Sequence, residues 1–264
     1  MRYTKHMDEP GSDPAAARPA ATVITLNPLR RSDPLRWLAL GWRDLRRAPL
    51  IGLFYGSCFM LMGWALLGVF EHAPAYTLAL SAGFLLMGPL LCLGLYRVSQ
   101  RLEAGERPGL VDSLLAWTTR TGTLAVFGLV LLVLELIWGR ATLIVFALSF
   151  DGMPDFKGSL LALLEPDNLG FIVAWVGIGA LFAGLIFAFC VISMPMILHR
   201  QTDAITAGLT SLRLVLTQPA PMLCWGLLIT LLVVLAMLPG FAGLLLVGPL
   251  LGHASWHAYR AAVA

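Results

Sequence analysis

Six long apolar stretches lie between residues 50 and 259 and constrain the fold more than any other feature of the sequence. They cover residues 50–70, 76–96, 121–150, 170–198, 220–238 and 240–259. A helix rises 1.5 Å per residue, so about 20 apolar residues cross the roughly 30 Å hydrocarbon core of a bilayer. The stretches lack the period-two alternation of a membrane barrel. The sequence therefore predicts an all-α membrane protein with six transmembrane helices.

The composition argues against a soluble fold. The chain is 58% hydrophobic and 12% charged, whereas soluble domains have roughly 25% charged residues. A soluble protein of 264 residues could not bury so much apolar surface, so lipid must cover it. The four cysteines lie singly inside apolar stretches, which argues against a disulfide framework or a zinc site.

The basic residues lie in only every second gap between the apolar stretches. The gap before the first stretch holds Arg30, Arg31, Arg36, Arg43, Arg46 and Arg47. Further arginines follow the second, fourth and sixth stretches, while Lys157 is the single basic residue in the other three gaps. By the positive-inside rule, this pattern predicts that both termini are cytoplasmic. We expect residues 1–32 to form a disordered cytoplasmic tail and residues 33–264 to form one membrane domain.

A short amphipathic segment precedes each odd-numbered stretch, as expected for helices that lie in the membrane interface. The apolar residues of these segments are Leu35, Leu38, Trp42 and Leu45, then Leu110, Leu114 and Trp117, then Ile205, Leu209, Leu212 and Leu216. The even-numbered stretches also resemble one another, since Gly88-Pro89 in the second recurs as Gly248-Pro249 in the sixth and Pro195 lies late in the fourth. The sequence therefore predicts a threefold repeat of an interfacial helix plus a helical hairpin.

Lipid is the partner that the first amphipathic segment predicts. Its membrane-surface residues are Arg36, Trp42, Arg43, Arg46 and Arg47. Arginines attract anionic headgroups, and the interleaved leucine and tryptophan favour a membrane surface over nucleic acid. Small residues four apart predict close helix packing. These pairs are Gly52 with Gly56, Ala180 with Gly184, and Gly248 with Gly252.

Glu135 lies near the middle of the third stretch, where an ionised side chain costs about 2.5–3.5 kcal/mol. One interpretation is a carboxylate that handles protons or cations, and the other is a hydrogen-bonded or neutral Glu that holds two helices together. Arg140 lies about 140° farther round the helix, so the two side chains do not form a simple intrahelical ion pair. We expect Arg140 to extend toward the outer interface, where the acidic residues are Asp151, Asp155 and Glu165.

His253 and His257 are four residues apart and share a helix face, which is a spacing used by metal ligands. No obvious partner at matching depth completes a site, so they are weak metal candidates and no cofactor is predicted. The alternative is an interfacial aromatic belt formed with Trp256 and Tyr259. The sequence holds no nucleotide-binding loop, metalloprotease motif or nucleophile motif, and no catalytic residue is predicted.

Several short motifs lie at the start of the membrane domain and inside the second and third spans. They are Pro34-Leu35-Arg36-Trp37-Leu38, Gly41-Trp42-Arg43-Asp44-Leu45, Gly88-Pro89 through Tyr96-Arg97, and Trp138-Gly139-Arg140. These motifs resemble an uncharacterised family of bacterial predicted integral membrane proteins, and the resemblance covers residues 33–263. It implies a bacterial inner-membrane protein and supplies no activity. Some members carry the automatic label cytochrome c oxidase subunit I, which fits poorly because only His253 and His257 lie in a predicted span.

Two functions follow from these observations. The absence of a catalytic set and the glycine-lined helix faces favour a non-enzymatic scaffold, assembly factor or partner-binding protein. Its partner would be another membrane protein or a second copy of the chain. The alternative is a small-solute or ion transporter that uses Glu135, because transporters combine internal repeats with kinked helices. The first function is preferred, because a transporter should have more polar residues on facing helices.

Overall fold

The computed structural model describes residues 24–72, 77–149 and 169–263, and these residues form helices without a strand. The helices are α1 (Asp33–Arg47), α2 (Pro49–His72), α3 (Thr77–Glu103), α4 (Leu110–Leu114), α5 (Thr121–Ser149), α6 (Leu169–Cys190), α7 (Ser193–Arg200), α8 (Ala204–Thr217), α9 (Pro219–Met237) and α10 (Leu244–Ala262). A 3₁₀ helix, Ala116–Arg120, connects α4 to α5. The predicted all-helical class is confirmed.

Four helical stretches of the described residues are long and apolar enough to cross a membrane. They are Pro49–His72, Leu110–Ser149, Leu169–Arg200 and Pro219–Met237. These stretches overlap the first, third, fourth and fifth predicted spans. Helices α3 and α10 occupy the positions of the second and sixth predicted spans but are not among the four. The protein is therefore helical with several membrane-spanning segments, and the count of six spans stays a prediction.

The fourth predicted span, residues 170–198, is two helices in the structure. Helix α6 ends at Cys190, and α7 begins at Ser193 after two intervening residues. Pro195 lies in the first turn of α7. Proline is tolerated near a helix start because the hydrogen bond it cannot make is missing there anyway. The Ser193 hydroxyl donates to the carbonyl of Ala207 in α8 at 3.0 Å, which fixes the break. A stretch longer than the bilayer requires is expected to tilt or break in this way.

The short helices α1 and α8 each bury one face, which carries small, polar and some bulky apolar residues, and leave other bulky apolar residues exposed. In α1, Gly41 and Asp44 are buried while Leu35 is 66% exposed. In α8, Ser211 is buried while Ile205 is 71% exposed. The outward apolar side chains belong to the stripes predicted from the sequence. Such an arrangement suits helices whose apolar face is covered by lipid and whose other face packs on protein.

Helix α10 packs against α1, α2, α3, α7 and α9. Glycine permits its closest contacts with α2. A Cβ atom at Gly56 would lie 1.9 Å from the carbonyl oxygen of Leu245, and one at Gly248 would lie 2.5 Å from the ring of Phe59. Two helices can approach so closely only where side chains are absent, and this close approach is a main source of packing energy between membrane helices.

The other two predicted packing glycines also lie at contacts between side chains and helices. A Cβ atom at Gly52 would lie 2.2 Å from the Leu45 side chain, and one at Gly252 would lie 2.4 Å from the Leu95 side chain. Gly52 therefore accommodates a residue of α1, and Gly252 accommodates a residue of α3. These glycines bring three helices together around α10.

Residues 24–30 lie against the end of α10, and we call them the N-terminal strap. Leu26 pairs with Val263 in an isolated antiparallel bridge. The side chain of Gln218 forms hydrogen bonds of 2.6 and 2.9 Å with backbone groups of the strap. These contacts lie on the tail side of the predicted domain boundary, while residues 1–23 of the predicted tail are outside the described residues.

The turn from α1 into α2 and the turn from α8 into α9 have nearly the same backbone geometry. Ala48 has φ −128° and ψ 57°, and Gln218 has φ −132° and ψ 59°. Each amide donates to the carbonyl four residues earlier, and each residue precedes a proline, Pro49 or Pro219. The residue before a proline is disfavoured in the helical region, so proline sets both turns.

We predict that Gly56→Ala destabilises the protein by about 2 kcal/mol or more, because the added methyl group meets the backbone of α10 and cannot be accommodated by a side-chain movement. The matched control is Gly68→Ala in the same helix, where a Cβ atom meets nothing within 4 Å. Thermal unfolding of both variants in detergent measures the difference. Equal unfolding midpoints would contradict the packing described for α2 and α10.

Candidate functional site

A buried hydrogen bond between side chains joins α1 to α10. The Nε2 atom of His257 donates to Oδ2 of Asp44 at 2.7 Å, and Asp44 is only 2% exposed. The two helices are close because a Cβ atom at Gly41 would lie 2.7 Å from the backbone nitrogen of Ala254. Gly41 and Ala254 stand three residues before Asp44 and His257, respectively. The glycine contact therefore brings the carboxylate within reach of the imidazole.

A second buried hydrogen bond joins α3 to α10. The Oγ atom of Ser99 and Nδ1 of His253 are 2.8 Å apart, and both residues are completely buried. The other ring nitrogen of His253, Nε2, has no hydrogen-bond partner among the described residues. The two histidines therefore bind different helices, His253 to α3 and His257 to α1. They do not converge as a pair of metal ligands.

Asp44 is held in its charged form. Burial opposes the charge, but the hydrogen bond and positive charge of His257, a hydrogen bond with Ser99 and the nearby His253 outweigh it. The pKa of Asp44 is consequently lower than its ordinary value. Ser99 therefore acts on the carboxyl group of Asp44 and also binds His253.

Glu103 extends this polar arrangement at the end of α10. Its carboxylate accepts hydrogen bonds from Trp256 Nε1 and from Arg260 Nε, each at 3.0 Å. On α7, His199 is joined to Tyr259 of α10 at 2.8 Å. Side-chain hydrogen bonds therefore connect α10 to α1, α3 and α7. We call the following set the α10 polar cluster: Asp44, Ser99, Glu103, His253 and His257.

An open cavity of about 550 Å³ lies beside the α10 polar cluster. The N-terminal strap, the first two turns of α1 and the end of α10 form its walls. The charged or titratable residues that line it are Arg30, Asp33, Arg36, His257 and Arg260. Because His257 also binds Asp44, this residue connects the cavity to the buried cluster.

A second cavity, of about 380 Å³, lies between α3 and α5. Its lining is almost wholly apolar and includes Leu90, Leu124 and Phe127. An open apolar cavity on a membrane protein is a surface for lipid chains rather than for polar chemistry. The polar groups of the protein converge on the cavity beside α10 instead.

Glu135 lies on the inward face of α5, where it is 4% exposed. Its Oε2 atom has no hydrogen-bond partner among the described residues. The interhelical hydrogen bond that one interpretation requires is therefore not seen for this oxygen. Arg140 is exposed, and its expected acidic partners Asp151, Asp155 and Glu165 lie outside the described residues.

The predicted membrane-surface residues share one property, since all of them are exposed on α1. They are Arg36, Trp42, Arg43, Arg46 and Arg47.

Within residues 24–72, 77–149 and 169–263, no group of three or more His, Cys, Asp or Glu side chains is placed to hold a metal ion. The structure shows the weak metal candidates His253 and His257 in hydrogen bonds with Ser99 and Asp44, respectively.

Reasoning from the sequence identified the two histidines but missed Asp44 and Ser99 as their partners, and it missed Glu103 as the partner of Trp256 and Arg260. A signal for Asp44 was present, because Trp37, Gly41 and Asp44 share a helix face at spacings of four and three residues. That face carries a glycine and a charge rather than a leucine stripe. A face of this kind on an interfacial helix indicates contact with protein instead of lipid.

Part of the chain is similar to a known protein family. Residues 77–199 match a family described as predicted integral membrane protein (DUF2189). The chain is an integral membrane protein. The match confirms the predicted resemblance to an uncharacterised family, although it covers a little less than half of the chain, and its description does not mention an oxidase. No curated protein and no solved structure matches the chain.

We predict that Asp44→Asn lowers the free energy of unfolding at pH 7 by about 1–3 kcal/mol, because the hydrogen bond of His257 to a charged acceptor is lost. The lowered pKa of Asp44 also fixes the sign of a pH effect. A lowered folded-state pKa stabilises the fold above the ordinary pKa, and this contribution is lost as the pH falls through the lowered value. At pH values below about 4, the thermal midpoint of the unsubstituted protein should therefore decrease. The midpoint of Asp44→Asn should decrease less over the same pH range.

The control for this prediction is Asp33→Asn, which removes a carboxylate near the start of the same helix that is less buried than Asp44. It should change stability by less than about 1 kcal/mol. Thermal unfolding of all three proteins between pH 3 and pH 7 gives the comparison. Parallel pH profiles for the unsubstituted protein and Asp44→Asn would show that the hydrogen bond of Asp44 contributes nothing.

Proposed function

We propose that the protein is a non-enzymatic scaffold or partner-binding protein of the bacterial inner membrane, and that α6 is its binding helix. The observation that carries the proposal is a stripe of glycines with open space in front of them. Gly170, Gly177 and Gly184 lie seven residues apart and are exposed, and a Cβ atom at any of them would meet nothing within 4 Å. Residues seven apart lie on one side of a helix.

The open glycines of α6 contrast with the glycines around α10. At Gly41, Gly56 and Gly248, an added Cβ atom would lie within 3 Å of an atom of a neighbouring helix. Glycine weakens a helix by about 1 kcal/mol relative to alanine, and in membrane helices close packing against another helix offsets that cost. In α6 this packing is supplied by no described residue. A transmembrane helix of a partner, or α6 of a second copy, would supply it.

The position of α6 in the fold supports this role. Its main contacts are with α5, α7 and α8, so one side remains available to the membrane. Ala188 is its single fully buried residue, and Ala174 and Leu181 of the glycine stripe are exposed. A helix with so little burial inside its own chain is well placed to associate with another one.

The proposed topology has six spans, with α3 and α10 as the two that complete the four apolar ones, and both termini in the cytoplasm. The alternating arginines support the orientation. The order of helices supports a threefold repeat, because a short segment, a long helix and a returning helical segment follow one another three times. The matching turns at Ala48 and Gln218 support it further, since they join equivalent helices of the first and third copies.

We predict that the double substitution Gly177→Leu and Gly184→Leu weakens the association by about tenfold or more, because the bulky side chains prevent close approach. The control is Ala183→Leu, at an exposed position of the same helix that lies off the glycine stripe. The protein is purified gently from native membranes, and its oligomeric state and any stoichiometric partner are measured by mass. A monomer without a partner, or equal association of both variants, would contradict the proposal.

A transporter is the second candidate, and one observation favours it. Glu135 places a carboxyl oxygen in the protein interior without a hydrogen-bond partner among the described residues. An ionisable group inside a membrane segment is a candidate for binding protons or cations. Among the described residues, no second carboxyl group forms a hydrogen bond with Oε2 of Glu135, so a single group would have to bind the ion.

For this candidate we predict that Glu135→Gln leaves the thermal midpoint nearly unchanged and abolishes proton uptake into vesicles reconstituted with the protein, because the amide cannot exchange a proton. Glu135→Leu should raise the midpoint, because it removes an unsatisfied buried polar group. A dye inside the vesicles reports the proton flux, and protein-free vesicles give the background. Flux equal to background in the unsubstituted protein, or unchanged flux in both variants, would reject proton transport.

A further inference from the structure

We propose that the cavity beside α10 is a binding site for a phosphate group, with Arg30, Arg36 and Arg260 as its ligands. These three residues come from the N-terminal strap, from α1 and from α10, and they line one open volume of about 550 Å³. Guanidinium groups bind phosphate oxygens through charge-assisted and bidentate hydrogen bonds. Three arginines line this cavity and one carboxylate, that of Asp33, opposes them, so the cavity carries a net positive charge that suits a phosphate.

Hydrogen bonds fix the position of the N-terminal strap, the segment that carries Arg30. The Asn27 amide donates to the carbonyl of Ala262 at 2.9 Å, and the Asn27 side chain donates to the carbonyl of Ala261 at 3.1 Å. The side chain of Gln218 binds the strap from the other side through its amide and carbonyl groups. Arg30 therefore stands on a positioned segment, which reduces the entropy lost when a ligand binds.

The charges in the cavity favour an anion. Among the described residues, Asp33 is the single carboxylate that lines it, and one of its oxygens already accepts the Arg30 backbone amide at 2.7 Å. Arg260 is paired with Glu103 outside the lining, through its Nε atom. Arg30 and Arg36 form no ion pair among the described residues. Two arginines without an ion-pair partner among the described residues therefore line the cavity, and one partly engaged carboxylate opposes them.

The rest of the cavity suits a phosphate at the membrane surface. Leu29, Trp37 and Leu40 provide apolar wall beside the arginines. On α1, the helix that carries Arg36, Leu35 points outward in the manner of a side chain that contacts lipid. Anionic phospholipids place their phosphates at this level of a membrane. The same groups would bind the phosphate of a soluble phosphomonoester, so the shared chemistry is a phosphate held by three arginines.

The experiment measures binding of phosphatidylglycerol to the full-length protein in a neutral detergent. Arg30→Gln together with Arg36→Gln should raise the Kd about tenfold or more, because two charge-assisted contacts are lost. The matched control is Arg31→Gln together with Arg107→Gln, which removes two exposed arginines that neither line the cavity nor belong to the membrane-surface residues of α1. It should change the Kd by less than about threefold. If the first double variant fails to fold, Arg36→Gln alone gives the same comparison.

Two further arms identify the source of the phosphate. Diacylglycerol, which lacks the phosphate, should not bind saturably, and glycerol 3-phosphate is added as a competitor. Displacement by glycerol 3-phosphate assigns the site to soluble phosphomonoesters, and retention of the lipid assigns it to headgroups. Equal weakening in both double variants would show diffuse surface attraction and overturn the proposal. Saturable binding of diacylglycerol with the same affinity, or no saturable binding of either phosphate compound, would overturn it too.

Discussion

The close approach of α10 to α1 and α2 is the contact on which the rest of this structure depends. At Gly41 and Gly56 the backbone of α10 occupies the space that a side chain would fill. Lipid cannot drive helices together by the hydrophobic effect, because hydrocarbon chains are as apolar as leucine, so packing and polar contacts must do it. The glycines permit the packing. The packing in turn brings Asp44 to His257, and this hydrogen bond stabilises the position that the glycines allow.

Lipid as solvent also explains how much of the fold could be predicted. The apolar stretches and the amphipathic stripes are properties of single segments, and the structure places helices α2, α5 and α9 within a residue or two of the predicted spans. The stripes carrying Leu35 and Ile205 exist as predicted, but they face outward. Periodicity identifies a face without identifying what covers it. The break between α6 and α7 followed from length and Pro195, although its exact place depends on a contact with α8.

The candidate site was less predictable, because its contacts join residues that are far apart in sequence. His257 and Asp44 are separated by 213 positions, and His253 and Ser99 by 154. The spacing of the two histidines suggested a shared ligand, yet they form hydrogen bonds with different helices, His253 with α3 and His257 with α1. A single helix wheel cannot show which neighbour each side faces. The glycine and aspartate on the inward face of α1 were the one local indication of a protein contact there.

These separate engagements determine how α10 is oriented. Hydrogen bonds to α1, α3 and α7 hold α10 at one rotation about its axis. Each bond that a rotation broke would leave a buried polar group without its partner. The same angle directs Arg260 into the cavity beside the N-terminal strap. The buried cluster is thus the structural cause of the arrangement of charges at the surface, and not a separate site beneath it.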